Sequence, residues 1–144
     1  MQADEIWAFC YAKERNVRKA EAAPEEAVDI WNWTAIDHDS KLMISYTVGD
    51  RSQATALECM FDLADRLDGR VQLTTDGNGA YLKAVADAFD GSVDYAMLAK
   101  QYGDPTGAKV HERKYSPAEC TGAIKEPIFG KPVVADVNTP HVER

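Results

Sequence analysis

Three carboxylates lie where the chain begins or ends an expected element of regular structure. Asp4 precedes a short apolar run, Asp76 closes another and is followed by glycine, and Glu143 comes near the end of the sequence. If the first and fourth strands of a sheet are neighbours, Asp4 and Asp76 face each other. A helix packed across those strands would then bring Glu143 close to both. We therefore consider these three acids as one candidate metal site.

The chemistry of phosphodiesters gives a reason to gather three carboxylates. Hydrolysis or transfer of a phosphodiester needs a nucleophile at neutral pH and charge stabilisation on the leaving oxygen. Two divalent ions about 3.5–4 Å apart provide both, and Mg²⁺ or Mn²⁺ takes oxygen ligands of this kind. Because the chain has 24 Asp and Glu residues, a solvated surface acid remains the ordinary interpretation of any one of them.

The distribution of apolar residues predicts the strands that would position these acids. Short runs rich in β-branched and aromatic residues, bounded by turn-forming residues, are typical of strands. The first three runs follow one another without a helix between them, so they predict an antiparallel meander. Five such runs occur, at residues 5–11, 28–37, 41–48, 71–76 and 92–97.

Two stretches between these strands have apolar residues at helical spacing. Residues 52–67 predict an amphipathic helix, with Ser52 as its N-cap and Gly69 as its stop. A second helix is predicted over residues 82–89, closed by an Asp-Gly pair.

The order of three strands, helix, strand, helix and strand predicts an α/β protein with a mixed five-stranded sheet and helices on its faces. The ribonuclease-H-like fold has this order, and we assign its catalytic core to residues 1–99. Residues 100–140 hold five of the six prolines and predict an irregular insertion between the second and third acids, with one short hairpin near 109–116. Residues 141–144 would begin a truncated C-terminal catalytic helix.

The composition is ordinary for a globular protein and limits the class of partner. Hydrophobic residues make up 45% of the 144 residues, enough for one buried core. No apolar run reaches the roughly 18–20 residues of a membrane helix, and the acidic N-terminus predicts no export, so we expect a cytoplasmic protein without a membrane partner. Three cysteines without a CxxC pair predict neither disulfides nor structural zinc. The net charge of −8 argues against a free-standing nucleic-acid binder.

Several segments resemble the DDE transposases of the insertion-sequence One type, in order along nearly the whole chain. The segment DEIWAFCYAK carries Asp4 where that family has its first acid, and GRVQLTTDGNGAYLKAV carries Asp76 where it has the second. HVER at 141–144 resembles the motif that holds the family's glutamate, here Glu143. The other similar segments are WNWTAIDHDSKLMISYTVGDRS, VDYAMLAKQYG and ERKYSPAECTG.

The resemblance implies a bacterial ribonuclease-H-like core that cleaves and joins DNA at transposon ends and target sites. It implies that Asp4, Asp76 and Glu143 are the catalytic acids and hold two Mg²⁺ or Mn²⁺ ions. It also implies a homo-oligomer, or assembly with full-length transposase, because two transposon ends must be brought together. Family members have a DNA-binding part before the first acid and a basic helical segment after the glutamate. Because only Arg144 follows Glu143 here, we expect a truncated or decayed transposase, and the absent basic parts would account for the acidic charge.

Five basic residues are candidates for contacts with DNA phosphates. Arg51, at the start of the first predicted helix, could pair with the acids or with phosphate. The other four form a cluster whose acidic neighbours also fit a solvated loop. For Trp7, Trp31 and Trp33, which lie in predicted strands, core packing is expected ahead of stacking on nucleotide bases. The basic cluster consists of Lys13, Arg15, Arg18 and Lys19.

Three functions are consistent with these patterns. The first is metal-dependent DNA strand cleavage and transfer by a transposase core. The second is a ribonuclease-H-like nuclease acting on RNA–DNA hybrids, although the TTDG and HVER contexts of the acids do not match such nucleases. The third is a non-catalytic transposase remnant that binds DNA or a full-length transposase.

Overall fold

A mixed six-stranded sheet forms the centre of the protein in the computed structural model, which describes residues 1–11, 13–17, 27–103 and 120–141. Its strands are β1 (Gln2–Cys10), β2 (Val28–Ile36), β3 (Met43–Gly49), β4 (Val71–Asp76), β5 (Val93–Tyr102) and β6 (Cys120–Phe129). They lie in the order β3-β2-β1-β4-β5-β6. The β1–β4 and β4–β5 pairs are parallel and the other three pairs are antiparallel. The α/β class and the antiparallel meander of the first three strands are therefore confirmed.

The helices begin and end close to the predicted positions. The Ser52 hydroxyl accepts a hydrogen bond from the Thr55 backbone N–H at 3.4 Å, which makes it the N-cap that the sequence predicts. The helix over residues 80–89 ends at Asp90, whose backbone is left-handed with a φ of 44°. Among the described residues, no helix is long and apolar enough to cross a membrane. The helices are the single turn α1 (Glu14–Val17), α2 (Gln53–Asp65), α3 (Ala80–Phe89) and a 3₁₀ turn (Val134–Asp136).

The main core lies between the sheet and the helices α2 and α3. Alternate residues of strands β1 to β5 face these helices, as the pleat of a strand requires. Trp33 is fully buried there, and its ring meets that of Tyr81 edge-on with centroids 5.2 Å apart. Core packing is confirmed for Trp33 and is wrong for Trp7, which is 37% exposed. Other large members of this core are Met60, Leu63, Leu73, Val85 and Tyr95.

The opposite face of the sheet is covered in part by the chain that follows β6. Val137 is buried there with Ala96 and Leu98 of β5. The backbone N–H of His141 donates a hydrogen bond to the Gln2 side chain at 3.1 Å. The last described residues therefore lie beside the start of β1.

The prediction of five strands and of an irregular segment over 100–140 is wrong. β5 continues to Tyr102, and β6 is an additional strand paired antiparallel with it. Pro127 lies within β6, and a proline in an apolar run normally argues against a strand, although edge strands tolerate it. Most of β6 is exposed, so its sequence lacks the alternation that marks a half-buried strand. The hairpin predicted near 109–116 lies outside the described residues, and the ribonuclease-H-like assignment stays a prediction.

A cluster of Arg70, Asp94 and Gly130 joins the start of β4 to the end of β6. The Arg70 guanidinium donates to both carboxylate oxygens of Asp94, at 2.7 and 3.0 Å, and the Lys131 backbone N–H donates to the same carboxylate at 2.7 Å. The hydrogen bonds from Arg70 and Lys131 lower the pKa of Asp94 to about 2. Gly130 has a φ of +69°, and a Cβ there would overlap the carboxylate and the guanidinium and come within 2.9 Å of the Val93 carbonyl oxygen.

We expect Gly130→Ala to destabilise the protein by about 2–5 kcal/mol, since it adds steric overlap to an unfavourable left-handed backbone. Gly91→Ala is the matched control, because Gly91 has a φ of +79° with nothing within 4 Å of the added Cβ. That control should lose only about 1–2 kcal/mol. Urea denaturation of the two variants measures both losses, and equal losses would show that the cluster around Gly130 does not resist a Cβ.

Candidate metal centre

Asp4 and Asp76 lie on the neighbouring parallel strands β1 and β4. The register pairs Gln2 with Thr74 and Ala3 with Thr75, so the two acids occupy the next position in each strand. Adjacent strands are about 4.8 Å apart. Because residues alternate between the faces of a sheet and Ala3 belongs to the core beneath the helices, Asp4 is on the other face. The structure therefore brings Asp4 and Asp76 together as the sequence predicts.

A third acid, Glu5, joins them. One carboxylate oxygen each from Asp4, Glu5 and Asp76 lie within 4.8 Å of one another, so the three could hold a metal ion. Glu5 is not among the acids predicted from the sequence. It follows Asp4 directly, and strand alternation places consecutive residues on opposite faces of a sheet. One signal could have identified it: a carboxylate inside an apolar run expected to be covered on both faces needs a partner.

Glu5 is held by residues from the turns that precede α2 and α3. Its Oε1 accepts hydrogen bonds from Arg51 Nε at 2.9 Å, from Arg51 Nη2 at 2.6 Å and from Asn78 Nδ2 at 2.8 Å. The Glu5 side chain is 1% exposed, and its Oε2 is buried without a hydrogen-bond partner among the described residues. The Arg51 guanidinium lies over the Trp31 ring, 4.6 Å from its centre. Pairing of Arg51 with an acid is therefore seen, and that acid is Glu5.

The electrostatics of this cluster follow from burial. Burial raises the pKa of the Asp76 carboxyl and the charge of Glu5 raises it further, while the hydrogen bond from the Asn78 backbone N–H, at 3.0 Å, opposes the shift. Burial and the charge of Glu5 also raise the pKa of the Tyr81 hydroxyl well above its usual value. Negative charge is thus concentrated on partly or fully buried carboxylates, and a bound cation would offset it.

A surface cavity of about 420 Å³ lies next to Asp4 and Asp76. Its wall includes Lys100 on β5, whose positive charge lowers the pKa of Asp76. The cavity therefore places two carboxylates and one ammonium group around a space that solvent can enter. The remaining lining residues are Gly77, Leu98, Ala99 and Tyr102.

Lys13, another candidate site residue, does not lie at this cluster. The Lys13 ammonium lies over the Trp7 ring, 4.6 Å from its centre, and Arg15 belongs to the helical turn α1. These basic residues remain predictions as contacts to DNA. Three of the predicted site residues lie outside the described part of the chain: Arg18, Lys19 and Glu143.

The residues present fit a hard divalent cation. All donors of the cluster are carboxylate oxygens, which suit Mg²⁺ and Mn²⁺ and disfavour softer metals, and Oε2 of Glu5 is buried without a hydrogen-bond partner among the described residues. Comparison of the chain with protein-family models, curated proteins and solved structures gave no match. The function is therefore inferred from the residues of this site.

Proposed function

We propose that the protein is the catalytic core of a DDE transposase, which cleaves and transfers DNA strands with two Mg²⁺ or Mn²⁺ ions held by Asp4, Asp76 and Glu143. One observation carries the proposal: Asp4 and Asp76 lie side by side on two central parallel strands, with carboxylate oxygens within 4.8 Å. The described chain also leads back towards β1, since His141, two residues before Glu143 in sequence, bonds to Gln2.

The order of elements supports the ribonuclease-H-like part of this proposal. Apart from the single turn α1 between β1 and β2, three antiparallel strands, a helix, a strand, a helix and a strand follow one another up to β5, and this is the order on which the fold was predicted. β6 adds one strand to the edge beyond β5 and does not alter the central pairing of β1 with β4. The segments that resemble the transposase family contain both acids of that central pair.

The residues of the site have separate tasks in this mechanism. When bound, the metal ions lower the pKa of water and stabilise the charge on the leaving oxygen of the phosphodiester. Asp4 and Asp76, which line the cavity, would hold the cations, and Arg51 fixes Glu5 beside them. Lys100 provides a positive charge on the cavity wall, where a phosphate group would meet it. In the first displacement, water attacks the phosphodiester at the transposon end and a 3′ hydroxyl leaves. In the second, that hydroxyl attacks a phosphodiester of the target DNA, and the 3′ hydroxyl of the cut target strand leaves.

The partners in this proposal are transposon-end DNA and target DNA in the bacterial cytoplasm. A net charge of −8 gives little general attraction to phosphates. Binding to DNA would therefore depend on local basic residues and on other copies of the chain or a full-length transposase, consistent with an assembly that joins two ends.

Cleavage of DNA that carries the sequences flanking the gene tests the proposal directly. We expect the chain to nick this DNA with Mn²⁺ or Mg²⁺ and to leave it intact with EDTA, with products resolved on a denaturing gel. An RNA–DNA hybrid of the same sequence is the parallel substrate. Cleavage of the hybrid alone would replace the proposal by a ribonuclease-H-like nuclease, and cleavage of neither substrate would favour a non-catalytic remnant.

A further inference from the structure

We propose that Glu5 is itself a metal ligand, so that Asp4, Glu5 and Asp76 form a three-carboxylate cation site within the sheet. This inference depends on the proposed function for its use of Asp4 and Asp76. It adds an acid to which neither the sequence pattern nor the family resemblance assigns a role.

The two oxygens of Glu5 have different surroundings. Oε1 accepts three hydrogen bonds, two from Arg51 and one from Asn78, at 2.6–2.9 Å. Oε2 is buried and has no hydrogen-bond partner among the described residues. One Glu5 oxygen lies within 4.8 Å of oxygens of Asp4 and Asp76. Because Oε1 already accepts three hydrogen bonds, we assign Oε2 as the ligand atom.

A side chain with this arrangement is costly unless a cation completes it. A buried carboxylate loses the hydration of both oxygens, and Arg51 compensates it at one oxygen only. Two more acids within 4.8 Å add repulsion between like charges. A divalent cation among the three oxygens would replace the lost hydration of Glu5 and would turn the repulsion between the carboxylates into attraction to the cation.

The surrounding residues hold the Glu5 carboxylate in one orientation. Arg51 is bound to Oε1 through two nitrogens and lies over the Trp31 ring. Asn78 is fixed in turn, since its own Oδ1 accepts the Ala80 backbone N–H at 3.0 Å. Rotation of the carboxylate would break these hydrogen bonds, so Oε2 is presented in a preorganised position. Such support of a ligand by a second layer of hydrogen bonds is typical of metal sites.

The Tyr81 hydroxyl is the competing partner for Oε2. It is also buried without a hydrogen-bond partner among the described residues, and the charge of Glu5 contributes to its raised pKa. If Glu5 Oε2 serves Tyr81, removal of the hydroxyl alters the surroundings of Glu5. If Oε2 serves a cation, removal of the hydroxyl leaves cation binding intact. The variant Tyr81→Phe therefore separates the two roles.

The test measures binding of Mn²⁺ alone to the chain, by the loss of the free-ion electron paramagnetic resonance signal and by the rise in melting temperature that Mn²⁺ produces. Glu5→Gln keeps an oxygen for Arg51 and Asn78 and places an amide nitrogen, which cannot bind a cation, at the other position. We expect it to weaken Mn²⁺ binding by at least about tenfold and to melt no lower than wild type without metal. Glu126→Gln, which removes one charge from an exposed position on β6, and Tyr81→Phe should bind Mn²⁺ within about twofold of wild type.

Equal Mn²⁺ affinities for Glu5→Gln and Glu126→Gln would overturn the inference, and so would wild-type protein that binds no Mn²⁺. Loss of affinity in Tyr81→Phe equal to that in Glu5→Gln would assign Oε2 to the hydroxyl and overturn it too. The transposase proposal fails separately: a chain that binds Mn²⁺ through Glu5 and cleaves no DNA would keep the cation site and lose the proposed reaction.

Discussion

Asp76→Asn is expected to slow metal-dependent DNA nicking by about 10³-fold or more. A metal ion contributes several kcal/mol of charge stabilisation to phosphoryl chemistry, and about 4 kcal/mol corresponds to about 10³ in rate. Asparagine keeps the shape of the side chain and the acceptor for the Asn78 backbone N–H, so the fold is preserved while the negative charge is lost. Rates are measured under single-turnover conditions with saturating Mn²⁺.

The apo protein should respond to the same substitution in the opposite sense. Asp76 is largely buried next to Glu5, and both burial and that neighbouring charge disfavour its ionised form. The melting temperature of Asp76→Asn without metal should therefore equal or exceed that of wild type. Asp87→Asn, at an exposed acid of α3, is the control and should nick DNA within about twofold of wild type. Undiminished nicking by Asp76→Asn would exclude Asp76 as a catalytic acid.

Trp33→Ala has the largest expected effect on stability, a loss of about 3–5 kcal/mol. Trp33 is fully buried between the sheet and the helices, packs edge-on against Tyr81, and donates its indole N–H to the Asp50 carbonyl at 2.9 Å. Truncation to alanine removes all three interactions and leaves a cavity. Because domains of this kind are stable by only about 5–15 kcal/mol, such a loss is a large share of the total. Urea denaturation followed by circular dichroism gives the free energy of unfolding.

Trp33→Phe separates ring packing from the hydrogen bond. Phenylalanine keeps an aromatic ring against Tyr81 and gives up the indole N–H, whose loss costs about 0.5–1.5 kcal/mol, together with some volume. We expect this variant to lose about 1–2 kcal/mol, clearly less than the alanine variant. A Trp33→Ala protein that loses less than about 1 kcal/mol would contradict the central place given to this side chain in the core.

Apolar runs were sufficient to predict strands β1 to β4, and helical spacing was sufficient to predict both long helices. These elements have a face in the core, and burial of that face requires the apolar residues that the sequence displays. β6 has no such face, because it is mostly exposed and contains Pro127, so its pairing with β5 depends on a tertiary contact that spacing does not record. The observed β1 also begins earlier than the predicted strand for the same reason, since Gln2 and Ala3 are strand residues through their pairing with β4.

The candidate site was likewise predictable only in part. Asp4 and Asp76 follow from strand order, because neighbouring parallel strands carry them at matching positions. Glu5 could not be placed from strand alternation alone. Its carboxylate reaches the cluster through hydrogen bonds from Arg51 and Asn78, which belong to two turns whose approach to β1 is determined by the packing of α2 and α3.

Pro127 has a further consequence for how the sheet can associate. A proline fits an edge strand when its nitrogen faces away from the neighbouring strand, which leaves the outer edge of β6 without a backbone donor near its C-terminal end. An added strand would form an interrupted ladder there. The β3 edge has no proline and exposes Tyr46 and Val48, so it is the better edge for strand addition by a peptide or a second copy. Because β2 separates the β3 edge from β1, a strand added at that edge would leave the carboxylate cluster open.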